Sequence, residues 1–269
     1  MGNRLWLTFS IVAPMLLAIF GSAHPQVVSP STYGIKRTGY TSSSVCKSCH
    51  EAHYGYWTKT MHSKAYEDPI FQVAFLRAQV DEGEQVRAYC LSCHSPTTRV
   101  TKDFSTEKEL SWEGVTCDFC HTITAVDLSR EEFSYDLGIT KRGPYKDAES
   151  PAHLTAYSPL FEWSEFCGGC HEQRSRNGEG VLVLGTYTEW KESPYAAKEV
   201  HCQNCHMPKE PGVPIVKPDV KATDKILTAH EFMGGHSEIK LEKAAEVKTY
   251  IERDGDKATI TTFVTNKES

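Results

Sequence analysis

Cys46-Lys-Ser-Cys49-His50 opens a series that Cys90-Leu-Ser-Cys93-His94, Cys117-Asp-Phe-Cys120-His121, Cys167-Gly-Gly-Cys170-His171 and Cys202-Gln-Asn-Cys205-His206 complete. Together these five stretches use all 10 cysteines of the 269-residue chain. Cys-x-x-Cys-His is the attachment signature of c-type haem. Its spacing has a chemical reason: two thiols three residues apart add to the two vinyl groups of one porphyrin, and the next residue presents an imidazole to the iron. The expected cofactor is therefore five covalently attached haem c. Cys46, Cys49, Cys90, Cys93, Cys117, Cys120, Cys167, Cys170, Cys202 and Cys205 bind it, and His50, His94, His121, His171 and His206 are the proximal ligands.

Two blander uses of ten cysteines compete. Paired Cys-x-x-Cys knuckles also build structural zinc sites, and an even cysteine count in an exported chain usually means disulfides. Neither accounts for a histidine after every pair. Export itself is expected from residues 1–23, where Arg4 precedes the apolar run Leu5 to Phe20 and Gly21-Ser22-Ala23 gives a small-residue cleavage pattern. That run contains Pro14 and is shorter than the roughly twenty apolar residues of a spanning helix, so a cleaved signal peptide is expected in place of a membrane anchor. The expected destination is the periplasm or the cell exterior.

The net charge is −6, and removing Arg4 with the leader makes it more negative by one. An acidic surface argues against nucleic acid as a partner and suits basic patches on other redox proteins. The hydrophobic fraction of 39% is low for a large protein core. Five porphyrins would supply the missing apolar surface. The attachment cysteines begin irregularly, at Cys46, Cys90, Cys117, Cys167 and Cys202, which excludes a solenoid of equal repeats.

Between the motifs the sequence predicts a mainly α chain with little regular structure: short helices and loops wrapped around five covalently bound haems, with a C-terminal β-hairpin. Ala65, Ile70, Phe71, Ala74, Phe75 and Ala78 recur at helical spacing around a Pro69 interruption. Residues 208–220 carry Pro208, Pro211, Pro214 and Pro218 and predict an extended connector. Val247–Ile251 and Ala258–Val264 are β-branched and aromatic and flank Asp254-Gly255, a hairpin turn signal. The domain reading is a signal peptide at 1–23, a pentahaem domain at 24–240, and a hairpin at 241–269. Because a lone hairpin is marginal, it is expected to pack on the haem domain, on a partner, or within a larger β domain.

Of 12 histidines, five are spoken for, leaving His24, His53, His62, His153, His201, His230 and His236 as candidate distal ligands. Histidine on both faces saturates an iron and gives a low-potential carrier, whereas methionine raises the potential. Met61, Met207 and Met233 each lie beside a candidate histidine, which favours the histidine-rich set. His53, three residues after His50, would reach a neighbouring haem from the same helix face. His201 directly precedes Cys202 and is placed similarly. Gly234-Gly235 before His236 removes two side chains where backbone could pass a porphyrin face. Trp57, Trp112, Trp163 and Trp190 are read as haem-packing and core residues.

His50-Glu-Ala-His53 followed by Trp57-Thr-Lys-Thr-Met-His62, the run Trp112-Glu-Gly-Val-Thr-Cys117, Ser150-Pro-Ala-His153 leading to Ser164-Glu-Phe-Cys167, Trp190-Lys-Glu-Ser-Pro-Tyr195, and His206-Met-Pro resemble one superfamily. It is the multihaem cytochromes typified by the tetrahaem cytochrome of ammonia oxidisers that accepts electrons from hydroxylamine oxidoreductase. The resemblance spans roughly residues 41–240 and implies that His62 and His153 are distal ligands, with His230 or His236 supplying another.

Electron transfer between redox partners, either cytochromes or a membrane quinol-oxidising module, is the first functional reading. The competing one is an enzyme with one open iron acting on nitric oxide, hydroxylamine, nitrite or a sulfur oxyanion. Against it, pentahaem nitrite reductases carry lysine in place of one motif histidine, and all five motifs here end in histidine. A third reading is self-assembly into a conducting filament, with His24 ligating iron in a neighbouring subunit.

Overall fold

The structure is a computed structural model describing residues 30–175, 180–215 and 225–267. The expected signal peptide at 1–23, His24 and the end of the proline-rich connector lie outside the described residues. Among them, no helix is long and apolar enough to cross a membrane.

Each haem motif forms a turn of helix. Cys90, Cys93 and His94 end the helix Val86–His94, Cys167, Cys170 and His171 end Ser164–His171, and the helices Cys117–His121 and Cys202–His206 are the motifs themselves. The first motif begins in Ser43–Lys47, and the His50 N–H closes its turn on the Cys46 carbonyl at 2.9 Å. Helices this short do not persist alone in water, so tertiary contacts must hold them. Local capping helps: Thr116 Oγ1 accepts the Phe119 N–H at 3.0 Å. Asn204 Oδ1 accepts the His201 N–H at 2.7 Å ahead of the fifth motif.

Pro69 starts a helix, where the sequence reading saw an interruption. Pro69–Glu82 follows Asp68, whose carboxylate accepts the Phe71 N–H at 2.8 Å. Proline suits the first helical position because its missing N–H would be unpaired there anyway. The helix turns Phe75 inward and leaves Ile70, Val73, Leu76 and Val80 exposed.

Strand content exceeds the single hairpin expected. Ile123–Asp127 pairs antiparallel with Glu132–Tyr135, Thr140–Gly143 parallel with Leu154–Tyr157, Gln173–Arg174 with Leu182–Leu184, and Lys209–Gly212 with Lys225–Thr228. The described part of the connector is thus extended and paired. These pairs are short and half-buried, without the clean alternation that makes a strand legible in sequence.

The C-terminal hairpin joins Ala245–Asp254 to Lys257–Asn266, with Asp254 opposite Lys257. Gly255 takes the positive φ of 57° that a two-residue turn requires. Val247 faces Val264 and Ile251 faces Ile260 across the ladder, and all four are exposed. The hairpin follows the helix Glu238–Ala244 and lies open along both strands, so of the three placements open to it, packing on the haem domain is not seen among the described residues.

Protein-only packing is sparse, in keeping with the low apolar fraction. One cluster gathers Tyr40, Phe119 and Ile123, and another Tyr66, Phe75 and Leu91. Trp57, Trp112 and Trp190 anchor loops by donating their indole N–H to the carbonyls of Val115, Thr106 and Val200 at 2.8, 2.9 and 2.8 Å.

Asp118, between the cysteines of the third motif, is 1% exposed and carries a buried ion pair. Its carboxylate accepts the Thr41 N–H at 2.6 Å and meets the Lys141 ammonium, tying the motif to the N-terminal segment and to strand Thr140–Gly143. Asp118→Ala leaves Lys141 buried without a counter-charge and is expected to cost about 3–5 kcal/mol. The denaturation midpoint of the haem-loaded protein checks it, and an unchanged midpoint refutes it.

Candidate haem-binding site

The tautomers of the histidines are fixed by their neighbours. A backbone carbonyl can only accept, so a ring nitrogen bonded to one must carry the proton. His50, His94 and His121 donate from Nδ1 to the carbonyls of Pro214, Ala65 and Arg142 at 2.9, 2.7 and 2.5 Å, and His206 donates to Met233. Two distal candidates do the same: His153 to Leu154 at 3.0 Å and His230 to Thr228 at 2.8 Å. In all six the lone pair is left on Nε2, the arrangement of a metal-ligating histidine with its outer support.

His201 has the opposite arrangement. The Ser164 N–H and hydroxyl both reach its Nδ1 at 3.2 Å. A backbone N–H can only donate, so the His201 proton sits on Nε2, where a ligand needs a lone pair. His201 serves as a brace between the fourth and fifth motifs.

Ring separations then pair the histidines. An iron–nitrogen bond of about 2.0 Å on each side, plus 1.1 Å or so from nitrogen to ring centre, places two axial imidazoles about 6.2 Å apart. His50 and His153 lie 6.3 Å apart, His62 and His171 6.2 Å, and His121 and His230 6.1 Å. His53 also lies 6.1 Å from His50, with its ring at 84° to it. It follows His50 by three residues on adjoining chain, which sets the two imidazoles side by side, and its ring packs edge-on to His230 at 4.9 Å. Among the described residues no second imidazole makes a ring contact with His94 or His206. His236 is exposed and makes no ring contact, although its charge reaches His62.

Burial favours the neutral form, the one that binds iron, at the buried members of this set. It pushes His62 down to about 4, aided by His171 and His236, and His230 down to about 3, aided by His53 and His121. Burial likewise lowers His50, His94, His121, His153 and His171.

A cavity of about 410 Å³ joins the first and third motifs, lined by Cys46, His50, Cys117, His121, His153 and His230. Cysteines of different motifs also lie near one another: Cys46 near Cys117, Cys93 near Cys170, and Cys167 near Cys202. Cys120 lies within electrostatic reach of Cys167 and Cys170. Each sulfur is where a porphyrin edge would attach, so this proximity sets which edges meet.

Several site residues carried no sequence signal. Phe71 stacks on His94 at 3.8 Å and 7°, Phe161 on His121 at 5.3 Å and 21°. Phe232, at a positive φ of 43°, packs on His62 at 4.3 Å and stands 5.8 Å from His230. An aromatic residue in a helical or loop pattern looks the same whether it packs on protein or beside an axial ligand. Gly234 and Gly235 are required by no protein neighbour: the nearest atom to a β-carbon at Gly234 is 3.9 Å away, and Gly235 faces open space.

Gly114 is required. It has φ +63°, and a β-carbon there would strike the His62 carbonyl and lie 2.9 Å from that of Ser63. Val115 N–H also bonds the His62 carbonyl at 2.9 Å, so this glycine lets the chain close over the segment presenting His62. Gly114→Ala is expected to destabilise by about 2 kcal/mol or more. It also displaces His62, so paramagnetic resonance of the oxidised protein should show new high-spin iron. A spectrum like that of the unaltered protein refutes the link.

Motif helices, ligand tautomers and imidazole spacing together define a multihaem c-type cytochrome with covalently bound haem c. Comparison with known proteins agrees. The family model for cytochrome c554 and c-prime matches residues 45–122, which hold the first three motifs. The chain is similar to the crystal structure of a penta-haem cytochrome c552 from Thermochromatium tepidum, with 25% sequence identity and a TM-score of 0.58 over 84% of this chain. It spans 66% of that cytochrome's length. No curated protein matches the chain.

Proposed function

We propose that this chain is an exported pentahaem electron-transfer protein, with a haem domain at 24–240 that passes single electrons between redox partners. The observation that carries the reading is the set of three imidazole pairs, His50 with His153, His171 with His62 and His121 with His230, at the separation that a six-coordinate iron imposes. Bound haem c supplies the Fe(III)/Fe(II) couple. The chain's residues do the rest: carbonyls fix the ligand tautomers, burial favours the neutral form of the buried imidazoles, and neighbouring cysteines bring the attachment edges together.

The cysteine proximities support a definite order. Cys46 and Cys117 join the first and third sites, Cys120 lies within electrostatic reach of Cys167 and Cys170, and the fourth motif comes near the second through Cys170 and the fifth through Cys167. The fourth site is then a branch point. Electrons entering at the first site reach the second and fifth through it. Partners are donor and acceptor cytochromes or a membrane quinol-oxidising module, and the acidic surface suits basic docking patches.

A second reading has its own support. His94 and His206 face no second imidazole among the described residues, so either iron could keep an open position for a small nitrogen or sulfur ligand. Paramagnetic resonance of the oxidised protein, with haem counted on the same sample, decides. Purely low-spin iron upholds the carrier. High-spin iron amounting to one haem in five or more, with carbon monoxide binding after reduction, upholds the open site.

A further inference from the structure

Arg142 carries one N–H group, at Nη1, that has no partner among the described residues. It sits in strand Thr140–Gly143, and its own carbonyl accepts the His121 Nδ1 proton at 2.5 Å. Its guanidinium is 16% exposed and meets Asp136 through Nη2 at 2.5 Å. Nη1 is buried with no hydrogen-bond partner among the described residues. The side chain lines the cavity shared by the first and third motifs.

The other cations of that cavity are engaged. Lys141 meets Asp118 and donates to the Gly138 carbonyl at 2.5 Å, and Lys225 meets Asp147 at 2.9 Å. A buried N–H of a charged group without an acceptor is costly, and native structures rarely leave one. An anionic acceptor that enters the cavity with the cofactor would satisfy it best. A porphyrin of the c type carries two propionate carboxylates, and guanidinium pairs with carboxylate more strongly than with a neutral acceptor.

The geometry points to Arg142 as a propionate-binding residue for a haem of the first or third motif, an assignment that rests on the pentahaem reading above. One residue then acts on this haem pair twice. Its carbonyl orients His121, and its side chain sets local charge. A nearby cation opposes the extra positive charge of Fe(III) and favours Fe(II), which raises the midpoint potential.

The test uses the haem-loaded chain and the variants Arg142→Gln, Arg142→Lys and Asp136→Asn, with haem content by mass spectrometry and a spectroelectrochemical titration of each. Arg142→Gln should keep every haem and lower one midpoint potential, leaving the others in place. Arg142→Lys should restore it. Asp136→Asn removes the competing carboxylate and should move the same potential upward. A merely structural ion pair predicts the same change in Arg142→Gln and Asp136→Asn, and that result overturns the assignment. Unchanged potentials in both variants of a five-haem protein overturn it as well. If Arg142→Gln does not fold, the upward shift in Asp136→Asn decides alone. A haem count below five, with the motifs at Cys46 and Cys117 unmodified, overturns the pentahaem reading and the assignment together.

Discussion

A His153→Ala variant is expected to carry one high-spin haem in the fully oxidised state while all attachment sites stay filled. His153 faces His50 at 6.3 Å, and its removal strips the first iron of its second ligand without touching a thioether. The substitution is a mild one for the fold. His153 is only partly buried, and the loop that presents it is held by Ser150 Oγ, which accepts the Ala152 and His153 N–H groups at 3.2 and 3.3 Å. Axial ligands tune haem potentials over roughly 0.8 V, so a shift on the order of 100 mV or more is expected at that haem. The reduced variant should bind carbon monoxide where the parent's first haem does not. Resonance and redox titration check this, and an unchanged low-spin count would falsify the pairing of His153 with His50.

Removing the fourth haem should do more damage than removing the fifth. Cys167→Ser with Cys170→Ser deletes the attachment that lies near both the second and the fifth motif, whereas Cys202→Ser with Cys205→Ser deletes one whose Cys202 lies near the fourth. The fourth motif is also tightly cased, since a β-carbon on Gly168 would lie 2.9 Å from the Tyr187 ring and one on Gly169 would strike the Phe133 ring. Loss of a porphyrin there removes the apolar group that the motif helix packs on, with a stability cost of several kcal/mol. Stopped-flow reduction of the fourth-site variant should split into separate fast and stalled populations. The fifth-site variant should lose one haem's amplitude and keep a single connected phase. Equal behaviour of the two variants sinks the branch-point order.

The two experiments touch different layers of legibility. Cofactor chemistry and proximal ligands are local: a thiol, two spacers, a thiol and an imidazole within one turn meet one porphyrin whatever the rest of the chain does. Low apolar content was equally readable, because a chain of this length with few core residues needs another apolar filler, and the small Tyr40 and Tyr66 clusters show how little the protein packs on itself. The hairpin was readable from Asp254-Gly255, since turn chemistry is local too.

Distal ligation is where sequence stopped. His62, His153 and His230 could be singled out, but His62 faces a motif more than a hundred residues downstream and His153 one as far upstream. His201 stood open as a candidate ligand on its position before Cys202, whereas His153 was implied by the resemblance. Only the Ser164 N–H, from another helix, gives His201 the tautomer that leaves Nε2 protonated. Motif-cysteine proximities, Phe71 against His94, and the orphaned Nη1 of Arg142 likewise join residues that no spacing relates. The sequence by itself determined what is bound and by which near residues, because thioether attachment and proximal ligation act within five consecutive positions. Tertiary structure alone decided which imidazoles stand at axial spacing and which motif cysteines lie near one another, because those depend on bringing together segments whose separation along the chain carries no period.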